Sequence, residues 1–325
     1  MIRVGLAGCG AIARVHAAVL RSLPGVQLCA CCDIVREKAE DLARADGCAV
    51  YENYTDMLDQ EKPDAVHLCL PHYLHVPMAE AAAERGIAVF TEKPPAIDRQ
   101  QWERLRKAAG KVPVGVCFQN RYNMNVQAAK ARIADGTYGA LTGARAFVTW
   151  RRDAAYYRDS AWRGRRETEG GGALINQAIH TLDLLVWIMG APETVKGTLR
   201  NHHLAGQTEV EDTAELFMRL GGKPALLYAS NAYATDAPVL IEFQMEKAAL
   251  RLEGNTLDII TPDGTEHLTF PVPETLGKGY WGNGHLPCIR DFYRSLEEKR
   301  PYQNDVASVA DTTEAMLQIY ESERR

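Results

Sequence analysis

Two residue groups in this 325-residue chain have the chemistry of a general acid–base pair. The first is Lys93, in Glu92-Lys93-Pro94-Pro95. A lysine followed by two prolines sits on a stiff turn, and an X-Pro bond can be cis, so the ammonium can be held at a fixed place. The second is His180. It follows the run Glu169-Gly170-Gly171-Gly172 and lies between Asn176 and Asp183. At α-helical pitch Asn176, His180 and Asp183 fall at i, i+4 and i+7 and share one face. The other positions, Leu182, Leu184, Leu185, Val186 and Ile188, are apolar. A polar stripe on a buried helix costs free energy unless it is used. Each group has a bland alternative. Glu92 and Lys93 can be a surface pair at a rigid turn, and His180 can be a core histidine bonded to Asn176 or Asp183.

A third group has the chemistry of phosphate binding. The strand-like Ile2-Arg3-Val4-Gly5-Leu6-Ala7 runs into Gly8-Cys9-Gly10-Ala11-Ile12-Ala13, a Gly-x-Gly-x-x-Ala pattern that opens a helix. Gly8 permits the tight turn, Gly10 lets the backbone approach a pyrophosphate, and Ala13 lets helix and strand pack closely. Ala11 and Ile12 begin the helix whose unpaired N–H groups face the phosphates. A second apolar run, Val26 to Cys32, ends at Asp33, placed to accept the adenosine ribose hydroxyls. Its charge favours NAD over NADP, although Arg36, three residues on, could reach a 2′-phosphate. Ligands of open α/β sheets sit beyond the carboxyl ends of the strands. That rule puts Leu70, Pro71 and His75, after the strand at 64–70, on the cofactor. It does the same for Glu92 and Lys93, after the strand at 87–91.

These groups need a scaffold, and the hydrophobic pattern supplies one. Strand-like and helix-like segments alternate up to about Val116, which predicts a doubly wound parallel sheet with helices on both faces. Asp98 is the expected N-cap of a helix through Ala109. After about residue 120 strand-like runs dominate: 144–150, 194–201, 212–220, 224–232, 239–245, 248–252 and 257–260. Gly221-Gly222, Gly254-Asn255 and Asp263-Gly264 mark turns between them. The pattern predicts an open, mostly antiparallel sheet, with helices at 122–134 and 172–189 and two closing helices at 283–298 and 306–323. The expected division is a dinucleotide-binding domain over 1–120 and an α+β domain for substrate and oligomerisation over 121–325, whose last helices can pack back on the first. Few helices are available to cover the second sheet, so one apolar face is expected to meet another subunit, giving a homodimer or homotetramer.

Composition excludes several classes. The chain is 46% hydrophobic and 24% charged, with a net charge of −5 and no long basic run, which argues against nucleic acid. Arg163-Gly164-Arg165-Arg166 is short and followed by Glu167 and Glu169. No apolar run reaches a membrane span and no leader precedes the first strand, so a cytoplasmic protein without a membrane partner is expected. The eight cysteines read as core residues and the nine histidines show no metal spacing, so no metal is expected.

Together, Gly-x-Gly-x-x-Ala, Glu-Lys-Pro and Gly-Gly-x-x-x-Asn-x-x-x-His-x-x-Asp resemble the glucose–fructose oxidoreductase/inositol dehydrogenase/rhizopine-catabolism (Gfo/Idh/MocA) family. The resemblance runs the full length, to Gly284-His285 and Ile319-Tyr320-Glu321-Ser322. It implies a Rossmann domain, a second α/β domain whose open sheet mediates assembly, and hydride exchange between a nicotinamide and a carbon of a sugar or cyclitol. His180 then matches the residue that takes the hydroxyl proton, and Lys93 the residue that bonds the same oxygen. Asn176 replaces the commoner aspartate, which weakens any inositol-like reading, but it can still bond a substrate hydroxyl. Asn120 and Arg121, in Phe118-Gln119-Asn120-Arg121-Tyr122, match the segment beside nicotinamide and substrate.

The stretch Tyr156-Tyr157-Arg158-Asp159-Ser160-Ala161-Trp162-Arg163 is similar to a subgroup containing nucleotide-sugar 3-dehydrogenases. That similarity puts Trp162 and Arg163 near the cofactor pyrophosphate and Tyr157 among the substrate residues. The implied activity is NAD-dependent oxidation at a ring carbon, C3, of a sugar, glycoside or nucleotide sugar. Two alternatives stand beside it: a redox-neutral NAD-dependent glycosidase, and an NAD-binding regulator without catalysis.

Overall fold

The computed structural model describes residues 1–271 and 284–323, in two compact units. Asn283, expected to open the penultimate helix, lies outside the described residues. Residues 1–119 and 285–309 form the first unit, and residues 120–271 with 310–323 form the second.

The first unit is built from β1 (Ile2–Ala7), α1 (Ala11–Ser22), β2 (Val26–Cys32), α2 (Arg36–Ala43), β3 (Ala49–Tyr51), α3 (Tyr54–Glu61), β4 (Ala65–Leu68), α4 (His75–Ala83), β5 (Ala88–Thr91), α5 (Arg99–Ala109) and β6 (Val114–Val116). The strands form one parallel sheet in the order β3-β2-β1-β4-β5-β6, the doubly wound Rossmann order. Val4, Leu6, Val66, Leu68, Val89 and Phe90 are fully buried in it. Runs hydrophobic on both faces are what a sheet covered by helices requires. The Asp98 carboxylate caps α5 as expected, accepting from Gln101 N–H at 2.7 Å, and Asn53 caps α3, accepting from Thr55 N–H at 2.8 Å. The strand order reverses between β1 and β4, so the crevice above their carboxyl ends is the ligand position of this fold.

The second unit contains α6 (Met124–Ala134), β7 (Leu141–Thr149), α7 (Ala154–Arg158), α8 (Arg166–Glu169), α9 (Ile179–Met189), β8 (Pro192–Arg200), β9 (Thr213–Leu220), β10 (Lys223–Ser230), β11 (Leu240–Met245), β12 (Ala249–Glu253), β13 (Thr256–Thr261) and β14 (Gly264–Thr269). Next come α10 (His285–Glu298), which folds with the first unit against α1, and α11 (Ala310–Glu323), which folds with the second. The eight strands form one sheet, β14-β13-β12-β11-β7-β10-β9-β8, antiparallel except between β7 and β10. Helices α6, α9 and α11 pack on it. Along β9 buried residues alternate with Glu215, Phe217 and Arg219, and Phe217 is 66% exposed. Arg145 and Arg251 pair with Glu242 on neighbouring strands. The face away from the helices is therefore mixed rather than uniformly apolar, which corrects the expectation from pattern alone.

Other departures have simple causes. β3 is three residues long, and β14 (Gly-Thr-Glu-His-Leu-Thr) is a polar edge strand, so neither shows a period-2 signal. The final helix begins at Ala310, not Val306. The expected single α-helix over 172–189 opens instead with a π-helical turn, Ala173–Ala178, before α9. By length and composition the stretch Arg166–Met189 could cross a membrane, contrary to the sequence expectation, but 78% of its apolar window is buried in protein.

Candidate active site

At the end of β1 the chain turns at Gly8, whose φ is +83°; a Cβ there would overlap the Cys69 carbonyl after β4. Only glycine fits so close to the neighbouring strand. Gly10 is the opposite case, because a Cβ on it would meet nothing within 4 Å. Gly10 also caps α1 without a side-chain hydrogen bond, leaving the first N–H groups of Ala11 and Ile12 to a ligand. Beside this turn stands Asp33. Its Oδ2 accepts from Cys9 N–H at 2.8 Å and its Oδ1 from Val35 N–H at 2.9 Å. Those bonds orient the carboxylate and leave lone pairs for two ribose hydroxyls. Ile34, 87% exposed, offers an apolar surface next to it that sequence reasoning overlooked. Arg36 is ion-paired with Glu40 and Glu52. The residues present fit a dinucleotide with an unphosphorylated ribose.

The loops after β4 and β5 are tied together. His75 is buried, with Nε2 2.9 Å from Leu70 O and Nδ1 2.8 Å from Pro94 O. It braces the Leu70-Pro71 and Lys93-Pro94 segments rather than presenting its ring to a ligand. The Lys93–Pro94 peptide is cis. Glu92 is not half of a surface pair. It is 8% exposed, and Oε1 lies 3.0 Å from His16 Nε2 on α1. Burial opposes its ionisation, but the hydrogen bond and charge of His16 outweigh burial and hold the carboxyl well below the usual range. His16 Nδ1 continues to His67 Nδ1 at 2.9 Å, and His67 Nε2 to the Tyr293 hydroxyl at 2.8 Å. Glu92, expected at the cofactor, thus anchors the residue that precedes half-buried Lys93. His16 and His67 were missed; the available signal was a histidine on an apolar helix face and another inside an apolar strand.

In the second unit the glycine run serves packing. A Cβ on Gly172 would overlap the Glu211 carbonyl, and a Cβ on Gly171 would overlap the Tyr320 ring and hydroxyl. The Glu211 carboxylate accepts from Gly172 N–H at 2.9 Å, Leu174 N–H at 3.1 Å and the Tyr320 hydroxyl at 2.7 Å. The chain's own atoms therefore cap the π turn. The π turn shifts the angular spacing of Asn176 and His180 away from the regular helical face. Asn176 donates to Glu169 Oε1 at 2.6 Å. Burial raises Glu169 to about 7, against the Gly164 N–H, the Asn176 amide and the nearby Arg163 charge. Glu169 is the functional candidate that sequence reasoning missed, although it heads the glycine run. Asn176 and His180 are both half-buried at this turn.

Asp183, Arg121 and Tyr157 are turned inward. Arg121 is 1% exposed and bidentate to Asp183, at 2.8 and 2.5 Å, and Thr312 donates to the same carboxylate at 2.8 Å. Tyr157, 5% exposed, accepts from Asn231, which also bonds Gln177. Both residues, expected on substrate, make these internal contacts. Arg163 differs: its guanidinium lies 4.7 Å from the ring centroids of both Tyr156 and Trp162. It lines a cavity of about 590 Å³ with Arg158, Ser160 and Arg165. Asn120 opens the second unit, its carbonyl accepting from Asn123 N–H at 3.1 Å.

Residues 2–119 match the family described as "Oxidoreductase family, NAD-binding Rossmann fold", and residues 126–251 match the "GFO/IDH/MocA C-terminal domain". The chain belongs to the GFO/IDH/MocA oxidoreductase family. Its first unit is the NAD-binding Rossmann domain of that family. D-glucoside 3-dehydrogenase of Escherichia coli K12 is 31% identical over 198 residues, 59% of this chain and 55% of that protein. The chain thus matches just over half the length of that relative. Inositol 2-dehydrogenase of Rhizobium meliloti 1021 is 27% identical over 273 residues, 81% of this chain and 80% of that one. Among solved structures, the WlbA dehydrogenase from Bordetella pertussis in complex with NADH and UDP-GlcNAcA superposes with a TM-score of 0.86 at 29% identity. That match covers 99% of this chain and 96% of the other.

Proposed function

We propose that this family member is an NAD-dependent dehydrogenase acting at a ring carbon, C3, of a sugar, glycoside or nucleotide sugar. The observation that carries the reading is Lys93, anchored through Glu92 and His16 inside an NAD-binding unit. A half-buried histidine that follows a capped π turn in the second unit supports it. Bound NAD supplies the two-electron acceptor for the hydride. His180 takes the proton of the hydroxyl as that carbon is oxidised, and Lys93 donates a hydrogen bond to the same oxygen as negative charge develops on it. Glu169 fixes the Asn176 amide so that its oxygen faces away from Glu169, as an acceptor for a neighbouring substrate hydroxyl. Trp162 and Arg163 serve the pyrophosphate of the cofactor, and Asn120 belongs with the nicotinamide.

The substrate class rests on names and on charge. The relatives include enzymes named for C3 oxidation and a neighbour solved with a nucleotide sugar. The cavity beside Arg163 also carries Arg158 and Arg165, which suit an anionic substrate portion. Assembly is proposed through the outer face of the eight-stranded sheet, where exposed Phe217 shares β9 and β10 with Tyr228. A cytoplasmic homodimer or homotetramer follows, and light scattering at micromolar concentration tests it against a monomer.

The decisive experiment offers glucosides, free hexoses, inositols, glucose 6-phosphate and UDP-sugars with NAD or NADP. NADH formed with a glucoside or UDP-sugar supports the reading. Released aglycone without net NADH would mean a redox-neutral glycosidase. NAD binding with no turnover on any of them would leave a regulator.

A further inference from the structure

The first unit holds a buried cluster that anchors the Lys93 segment but takes no chemical part in the proposed hydride transfer. His16 on α1, Glu92 after β5, Cys117 after β6 and His285 at the start of α10 are all buried. One donor atom from each lies within 4.8 Å of the other three. No two of the four are closer than 25 residues in the chain, which is why no ligand spacing shows in the sequence. His16 Nε2 and Glu92 Oε1 lie 3.0 Å apart. His16 is held from behind by His67 Nδ1 at 2.9 Å, and His67 in turn by the Tyr293 hydroxyl at 2.8 Å. A hydrogen bond to the second ring nitrogen is what fixes the orientation of a metal-ligating imidazole.

We propose that His16, Glu92, Cys117 and His285 form a closed, four-ligand site for a borderline divalent metal ion, with Zn²⁺ as the best fit. The donor set is two imidazoles, one thiol and one carboxylate. A thiolate and a carboxylate neutralise a divalent ion, so the loaded site carries no net charge into a dry interior. A sulfur and two nitrogens select against Mg²⁺ and Ca²⁺, which take oxygen ligands. Zinc bonds of about 2.0–2.3 Å in a tetrahedron place donors roughly 3.3–3.8 Å apart, so loading draws the widest pair inward by about an ångström. Binding releases the Cys117 proton to solvent. With four protein ligands no position is left for substrate, and the ion is structural. It would tie α1, the ends of β5 and β6, and α10 within one unit, at the residue just before Lys93.

The test uses the full-length protein, stripped with a chelator and then titrated with Zn²⁺ or Co²⁺. The expected result is one equivalent bound per chain. Cobalt should show the intense visible bands of a tetrahedral ion and a near-ultraviolet thiolate-to-metal charge-transfer band. Cys117→Ser should abolish the charge-transfer band and lower zinc affinity at least tenfold. His67→Phe should weaken binding about 10–100-fold while leaving the band in place. Zinc should raise the Tm of the stripped wild-type protein and not that of His285→Ala. Wild-type protein that binds neither metal at ten equivalents overturns the proposal. So does binding that survives unchanged in Cys117→Ser and His285→Ala. If those variants fail to fold, the wild-type cobalt spectrum decides alone, since a spectrum without the thiolate band also overturns it. None of these readouts is NADH formation, so failure here leaves the dehydrogenase reading standing.

Discussion

Gly10 and Gly172 look alike in the sequence, each opening a helix after a glycine-rich turn, and the structure gives them opposite reasons. A Cβ on Gly10 would meet nothing within 4 Å, whereas one on Gly172 would overlap the Glu211 carbonyl. The first glycine leaves space for a ligand; the second lets the chain fill the space itself. The carboxylates divide the same way. Asp33 stands half-buried at the open turn, while Glu169 and Glu211 are buried against the π turn and hold its backbone and side chains. The first unit is shaped by what it binds. The second is shaped by the need to hold a short irregular helix still.

The largest effect that can break this comparison is expected at Arg121. Removing one partner of a buried ion pair leaves an uncompensated charge, so Arg121→Ala should cost about 3–5 kcal/mol of stability by urea unfolding. Wild-type stability with a raised substrate KM would return Arg121 to the substrate. Gly172→Ala comes next, at about 2–3 kcal/mol, because the clash is with backbone that cannot swing away. Gly10→Ala should change stability by less than about 1 kcal/mol and weaken NAD binding instead. Equal stability losses at the two glycines would erase the distinction.

Asp33→Ala sharpens the ligand side. Each lost hydrogen bond to the carboxylate is worth about 1.5–3 kcal/mol, so NAD should weaken at least tenfold and its advantage over NADP should narrow. Titration showing that the wild-type protein prefers NADP would contradict the reading of Asp33. A further effect, one of pH, concerns Glu169. Burial raises its folded-state value from 4.5 to about 7. Between those values the folded protein keeps a proton the unfolded chain has lost, so stability falls as pH rises through that window, by up to about 3 kcal/mol. Glu169→Gln should flatten that slope in melts recorded from pH 4 to pH 8. An unchanged slope would show that Glu169 is ionised in the fold throughout.

Much of the first unit was legible because its signals are local. Gly8, Gly10 and Asp33 are each explained by the turn that contains them, and Asp98 by the helix it caps. What was not legible depends on partners far away in sequence. Glu92 looks like a surface residue until α1 brings His16 to it, 76 positions away. Arg121 reads as a substrate residue, and its two hydrogen bonds to Asp183, 62 positions on, have no local signal. The π turn has no pattern of its own; it exists because Glu211 and Tyr320 cap the backbone there. β14 is polar but for Leu268 and is a strand because β13 pairs with it. Lys93 and His180 were chosen for their chemistry, and both remain half-buried positions able to meet a ligand.

The central claim is that Lys93 and His180 act on one substrate oxygen. It is tested most directly by single-turnover hydride transfer in Lys93→Ala, His180→Ala and the double variant, with NAD affinity measured alongside. The account predicts a loss of about 10²–10⁴-fold for each single change, with NAD affinity altered far less. It predicts a double variant that loses less than the product of the two. Near wild-type hydride transfer in His180→Ala, or losses that multiply fully in the double variant, would contradict it.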